Sequence, residues 1–167
     1  MIEERRYSGS LIAAILAMMM IAGVGYRYWP SDERSIRRHL SNLAEALSFP
    51  LAESNEERIT RIEVLREYFA PDVRIRVDER ELKSRDEIIQ LLSRFEPPPG
   101  GVTVEFLNIT MAIDAARESA TVTLTAKWAI GDQRGVSTAE ERVVDVLMRN
   151  ADGDWVIASA TTRPTRV

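Results

Sequence analysis

Residues 120–130 read ATVTLTAKWAI, and a period of two runs through the segment. Val122, Leu124, Ala126 and Trp128 fall on one side; Thr121, Thr123, Thr125 and Lys127 fall on the other. Successive side chains of a strand point to opposite faces, so this is a strand with one buried face. Three more stretches of the same kind surround it: Val102 to Ile113, Glu140 to Arg149 and Asp154 to Thr162. Turn-like segments join them at Asp114 to Ser119, Gly131 to Gly135 and Asn150 to Gly153. The last holds Asp152-Gly153, a hairpin signal. Strands this close in sequence pair most economically as hairpins.

Upstream the period changes. Pro97-Pro98-Pro99-Gly100-Gly101 is a hard break between the two halves. Before it, Ile36, Leu40, Leu43, Ala44 and Leu47 recur at helical spacing from Asp32 until Pro50. Glu53-Ser54-Asn55 restarts the chain, and Ile59, Ile62, Leu65, Tyr68 and Phe69 predict a second helix ending near Ala70-Pro71. From Asp72 to Asp78, Val73, Ile75 and Val77 alternate with Arg74 and Arg76, which predicts a short strand. Ser84 with Glu87 three residues on suggests a capped third helix carrying Ile88, Leu91, Leu92 and Phe95. Helices first and then a run of strands argue an α+β fold. About three helices are expected on a curved, mainly antiparallel sheet.

The N-terminal segment is of another kind. No charge occurs from Tyr7 to Tyr26, a run of about 20 residues, enough for a helix to cross roughly 30 Å of hydrocarbon. Leu11, Ile15 and Met19 mark its apolar surface, and Tyr26 and Trp29 suit an aromatic belt at headgroup level. Residues 1–30 are therefore expected to be a cytoplasmic head and a single transmembrane helix, and residues 31–167 one soluble domain. A cleaved signal peptide is the main alternative, although Val24 spoils the usual small-x-small site. A buried core helix would show a polar stripe, which this run lacks. Arg5 and Arg6 precede the run; Arg27, Arg34, Arg37 and Arg38 follow it. That count favours a cytoplasmic domain, but long domains cross largely regardless of charge. The expected location is the inner membrane, with the soluble domain on the periplasmic side.

Composition narrows the chemistry. The net charge of −4 is too mild to imply a nucleic-acid partner. The chain has no Cys, so it has no disulfide and no thiolate nucleophile. One histidine, His39, excludes a multi-histidine metal site within one chain. No phosphate-binding glycine loop occurs, and neither a metal nor a cofactor is expected.

Three passages resemble the nuclear transport factor 2-like superfamily, which includes SnoaL-type polyketide cyclases, ketosteroid isomerases and many non-enzymatic domains. Leu65 to Val73 is similar to the family's passage of a helix into a strand through aromatic-x-Pro-Asp-Val. Leu82 to Ile88 is similar to its helix start. Val146 to Arg149, followed by Asp152-Gly153-Asp154-Trp155, is similar to its closing hairpin. The resemblance spans about residues 32 to 165 and implies a cone: a bent sheet wrapped round helices, often enclosing a pocket. It implies no particular activity, because the fold hosts many.

Enzymes of that superfamily place an Asp, His or Tyr inside the cone, so such residues are the candidates here. Tyr68, Phe106, Trp128 and Asp145 are the candidate pocket residues. Asp145 faces inward if Val143 and Leu147 do, but the opposite face of that strand is just as apolar. Pairing with Arg142 or Lys127 would give it a structural role. His39 lies off the main apolar stripe, on an expected solvated helix face. Arg74 and Arg76 form a candidate docking patch for an acidic partner or lipid headgroups. No residue reaches a catalytic assignment. The expected function is therefore a membrane-anchored, non-catalytic accessory or assembly subunit of a larger membrane complex of the secretion, respiratory, photosynthetic or transport type, with integral membrane partners. The alternative is a small-molecule-binding or isomerase/cyclase-type enzyme using the cone. Self-association through the sheet face fits either.

Overall fold

The computed structural model describes residues 32–50, 52–131 and 137–163. The first helix, α1, spans Asp32–Leu47 and turns Ile36, Leu40 and Leu43 into the core. Three side chains at such spacing form one stripe, each contributing about 1.5–3 kcal/mol by burial. Helix α2 spans Asn55–Glu67 behind a complete capping box of Ser54 and Glu57. Strands β1 (Phe69–Val77) and β2 (Arg80–Leu82) form a hairpin, and α3 (Arg85–Arg94) follows with Ser84 as its N-cap. Four long strands complete the chain: β3 Val102–Ile113, β4 Ser119–Gly131, β5 Ser137–Ala151 and β6 Asp154–Thr162.

The six strands form one sheet in the order β2-β1-β6-β5-β4-β3. Only β1 and β6 run parallel; the other neighbours are antiparallel. The sheet is thus mixed, and with the three helices it makes the expected α+β architecture. Curvature has a local cause in β3. Its register with β4 shifts between Leu107 and Thr110, and Asn108 there adopts φ 52°. Asn tolerates this left-handed conformation better than most residues, and a bulge bends its strand. The bulge leaves Phe106 and Ile109 on one face, so the inward pattern survives the bend. The hairpin between β5 and β6 turns at Asp152 (φ 56°) and Gly153 (φ 101°), the pair of positive angles that a two-residue turn requires.

The structure corrects several expectations. Helix α2 stops at Glu67, so Phe69 and Ala70 open a strand rather than close a helix. Pro71 is accommodated because β1 and β6 lose register between Phe69 and Arg74, where no ladder bond is required of it. Ile59 is 63% exposed and belongs to no core. Strand β2 has no counterpart in the sequence reading.

No helix among the described residues is long and apolar enough to cross a membrane. The anchor residues Leu11, Ile15, Met19, Tyr26 and Trp29 lie outside the described residues.

Candidate functional site

The concave face of the sheet and the helices that cover it do not close completely. They leave a cavity of about 210 Å³. Helix α1 lines it with Leu40, Leu43 and Leu47, and α3 with Ile88 and Leu92. The sheet contributes Phe106, Leu124, Val144 and Ile157, among others, and Ala160 is its smallest lining residue. Every lining residue is apolar. The cavity therefore offers shape and hydrophobic burial, and its walls present no acid or base.

Strand register shows what lies beyond it. Leu124 and Val144 are partners across β4 and β5, and both line the cavity. The next partners on that face are Ala126 with Arg142, then Trp128 with Glu140. Each step moves about 7 Å along the strand and keeps the same face. On β6, Thr162 stands opposite Val144 and shares the face too. A polar collar thus follows the apolar chamber. Arg142 Nη1 donates to both carboxylate oxygens of Asp78, at 2.9 and 2.8 Å. That hydrogen bond, with the Asp78 charge behind it, raises the Arg142 pKa above its ordinary value. Asp78 occupies the turn after β1 at φ 53°, and its N–H lies 3.4 Å from Thr162 Oγ1.

The sequence candidates separate in space. Phe106 lines the cavity. Trp128 lies on the same face but farther out, beyond Ala126. Tyr68 caps α2 and lines an open groove of about 630 Å³ with Asn42, Glu45, Arg61 and Val64, away from the cone interior. Its ring lies 4.5 Å from His39, tilted by 51°. Burial pushes the Tyr68 pKa up, with Glu67 and Glu45 adding to the shift. His39 is not on a solvated face: burial lowers its pKa, against an opposing pull from Asp154. Its Nε2 is buried without a hydrogen-bond partner among the described residues.

Asp145 is on the convex face, because Val144 and Val146 are the inward pair. It accepts from Thr123 Oγ1 at 2.8 Å and from Arg163 Nε and Nη2 at 2.5 and 2.6 Å. The Arg163 hydrogen bonds come first among the causes that hold its carboxyl below the usual range. Its partners are therefore Thr123 and Arg163 rather than Arg142 or Lys127. Arg74 and Arg76 share that outer face on β1, where Arg76 lies 3.6 Å from Glu81. Among the described residues, no group of three or more acidic or histidine side chains could hold a metal ion.

No family model matches the chain, and no curated protein matches it in sequence. Solved structures match its fold. A protein provisionally named a scytalone dehydratase, from Novosphingobium aromaticivorans, superposes with a TM-score of 0.63 at 16% identity, over 81% of this chain and 85% of that one. A nuclear transport factor 2-like protein with a cystatin-like fold, from the same organism, gives 0.59 at 14% identity, over 96% and 90%. The association domain of Caenorhabditis elegans CaMKII gives 0.60 at 13% identity, over 80% and 95%. The domain has the nuclear transport factor 2-like, cystatin-like fold.

Proposed function

We propose that this domain binds a small apolar molecule inside its cone. The observation that carries the reading is the partly open, wholly apolar chamber of about 210 Å³ between the sheet and the helices. An engineered apolar cavity of about 150 Å³ stays dry and takes benzene, so this one has room for a larger guest. Filling such a volume recovers packing worth up to about 24 cal/mol per Å³, or at most roughly 5 kcal/mol in all. A guest that recovers all of it binds with a Kd of about 0.2 mM from apolar contact alone. The fold's likeness to a provisionally named dehydratase supports a cone that receives a small molecule, in preference to the accessory-subunit reading.

Two further parts belong to the proposal. The run Leu11 to Gly25 tethers the binding domain to the inner membrane as a single span, with the domain on the periplasmic side. The convex sheet face pairs two copies of the chain. Leu107, Val143 and Leu147 are 39%, 38% and 41% exposed there; the register aligns Leu107 with Val143 through Thr125, and Leu147 follows on the same face beyond Asp145.

The cone is tested with fluorobenzene, followed by fluorine NMR on the full chain in lipid nanodiscs. Saturable broadening that disappears in an Ala160→Leu variant is expected. A signal no different from that of empty nanodiscs refutes the reading. The tether is tested separately: the full chain stays in the membrane fraction through a high-salt wash, and release into the wash refutes it.

A further inference from the structure

The cavity alone accounts for weak, unselective binding. The collar next to it adds a direction. Arg142 follows Val144 on the concave face, about 7 Å along the strand, and is 30% exposed. Asp78 engages Nη1 alone, whereas a guanidinium carries five N–H donors in a planar fork. That fork matches a carboxylate in two-point geometry. The pairing with Asp78, whose N–H in turn lies 3.4 Å from Thr162 Oγ1, also restrains the long arginine side chain, so less freedom is left to lose when an anion arrives.

Resting on the reading of the cone as a ligand site, the geometry points to an amphiphilic ligand: an apolar carboxylate whose hydrocarbon fills the cavity while its head group meets Arg142. The scale follows from volume. If about 150 Å³ holds the six carbons of benzene, then 210 Å³ holds about eight. A chain of that length also spans the step from Val144 to Arg142. The nearby charges set the polarity of the site. Asp78 is 59% exposed against 30% for the arginine it holds, and Glu140 is one strand step beyond Arg142. Along β5, a head group rising from the cavity therefore meets Arg142 before Glu140. Trp128 stands on the same face, opposite Glu140 on β5.

Octanoate, octan-1-ol and octylamine share one hydrocarbon and differ only in the head group. Each is titrated calorimetrically into the full chain in lipid nanodiscs, with empty nanodiscs subtracted. Octanoate binds at least tenfold tighter than octanol, and octylamine binds weakest. Arg142→Met brings octanoate down to the level of octanol, and Arg142→Lys restores part of the preference, because it returns the charge without the fork. Asp78→Asn tightens octanoate several-fold by removing the competing carboxylate; Asn tolerates the positive φ of that turn, so the backbone is kept. Equal binding of acid and alcohol overturns the inference and leaves the cone reading standing, as does a preference for the amine. Binding of none of the three overturns both.

Discussion

Ala160→Leu places a larger apolar side chain in the cavity. Ala160 lines the chamber and stands in register with Ile75 on β1 and Val146 on β5, both of which line it too. The new side chain adds three carbon groups at about 0.8 kcal/mol each, near 2.4 kcal/mol in all. Fixing a leucine rotamer returns about 0.5–1 kcal/mol of that. The net gain is about 1.5 kcal/mol, because 210 Å³ accommodates the addition without the strain of an overpacked core. For a unit of this size the gain raises Tm by about 6 °C. Differential scanning calorimetry on the full chain measures the shift, and the fluorobenzene titration shows loss of binding in the same variant. A fall in Tm refutes the reasoning, since it means that the chamber is not open space a side chain can enter. A raised Tm with undiminished binding refutes it differently, since the guest then sits elsewhere.

Other side chains make equally specific predictions. Arg61 donates to the α1 carbonyl oxygens of Glu45 and Ala46 and to that of Ser48, and its Nε is 2.6 Å from Glu53, whose side chain is only 5% exposed. Arg61→Leu strands that carboxylate and costs about 3–5 kcal/mol in urea unfolding; the double variant with Glu53→Leu recovers much of it, and a cycle without coupling sinks the account. The folded pKa of His39 lies below its unfolded value, so its contribution is full above about pH 6.5 and is lost as the pH falls through the lowered folded value. His39→Phe should flatten that acid arm in a pH series of urea melts, and an unchanged arm would place the titration elsewhere. Val143→Lys puts a charge in the exposed patch with Leu107 and Leu147, and should turn a dimer into a monomer in sedimentation velocity; a native chain that is monomeric at high concentration refutes the interface.

The strands were legible because their period of two is unmistakable. The segment at residues 120–130 gave its inward set directly, and β3 and β6 have the predicted bounds. The end of α2 was not legible: Tyr68 and Phe69 continue the apolar spacing of the helix, and only pairing with β6 turns Phe69 into a strand residue. Strand β5 was ambiguous for a physical reason. Val143 and Leu147 on one face, and Val144 and Val146 on the other, are equally apolar, so local pattern could not choose. Register with β4 chooses, since Leu124 lies inward and is the partner of Val144. That choice moves Asp145 out of the cone and Arg142 into it. The signal was present in the parity of Arg142 with Val144 and Val146, but it became readable only after the face was known. Asp78 was legible only as the end of a predicted strand; the turn at φ 53° brings it to the arginine.

The apolar chamber is itself an argument for the proposed use. Domains of this size are stable by about 5–15 kcal/mol, and packing that filled this volume would be worth at most roughly 5 kcal/mol. Gains of that kind are within reach of single substitutions such as a larger residue at position 160, and stabilising changes of this sort are easily found. A fold indifferent to the cavity has a short route to closing it. Here the small side chain of Ala160 keeps the space, every wall stays apolar, and an arginine already tied by Asp78 follows on the same face. An apolar chamber between sheet and helices with a restrained cation beside it is what the proposed binding of a small guest requires.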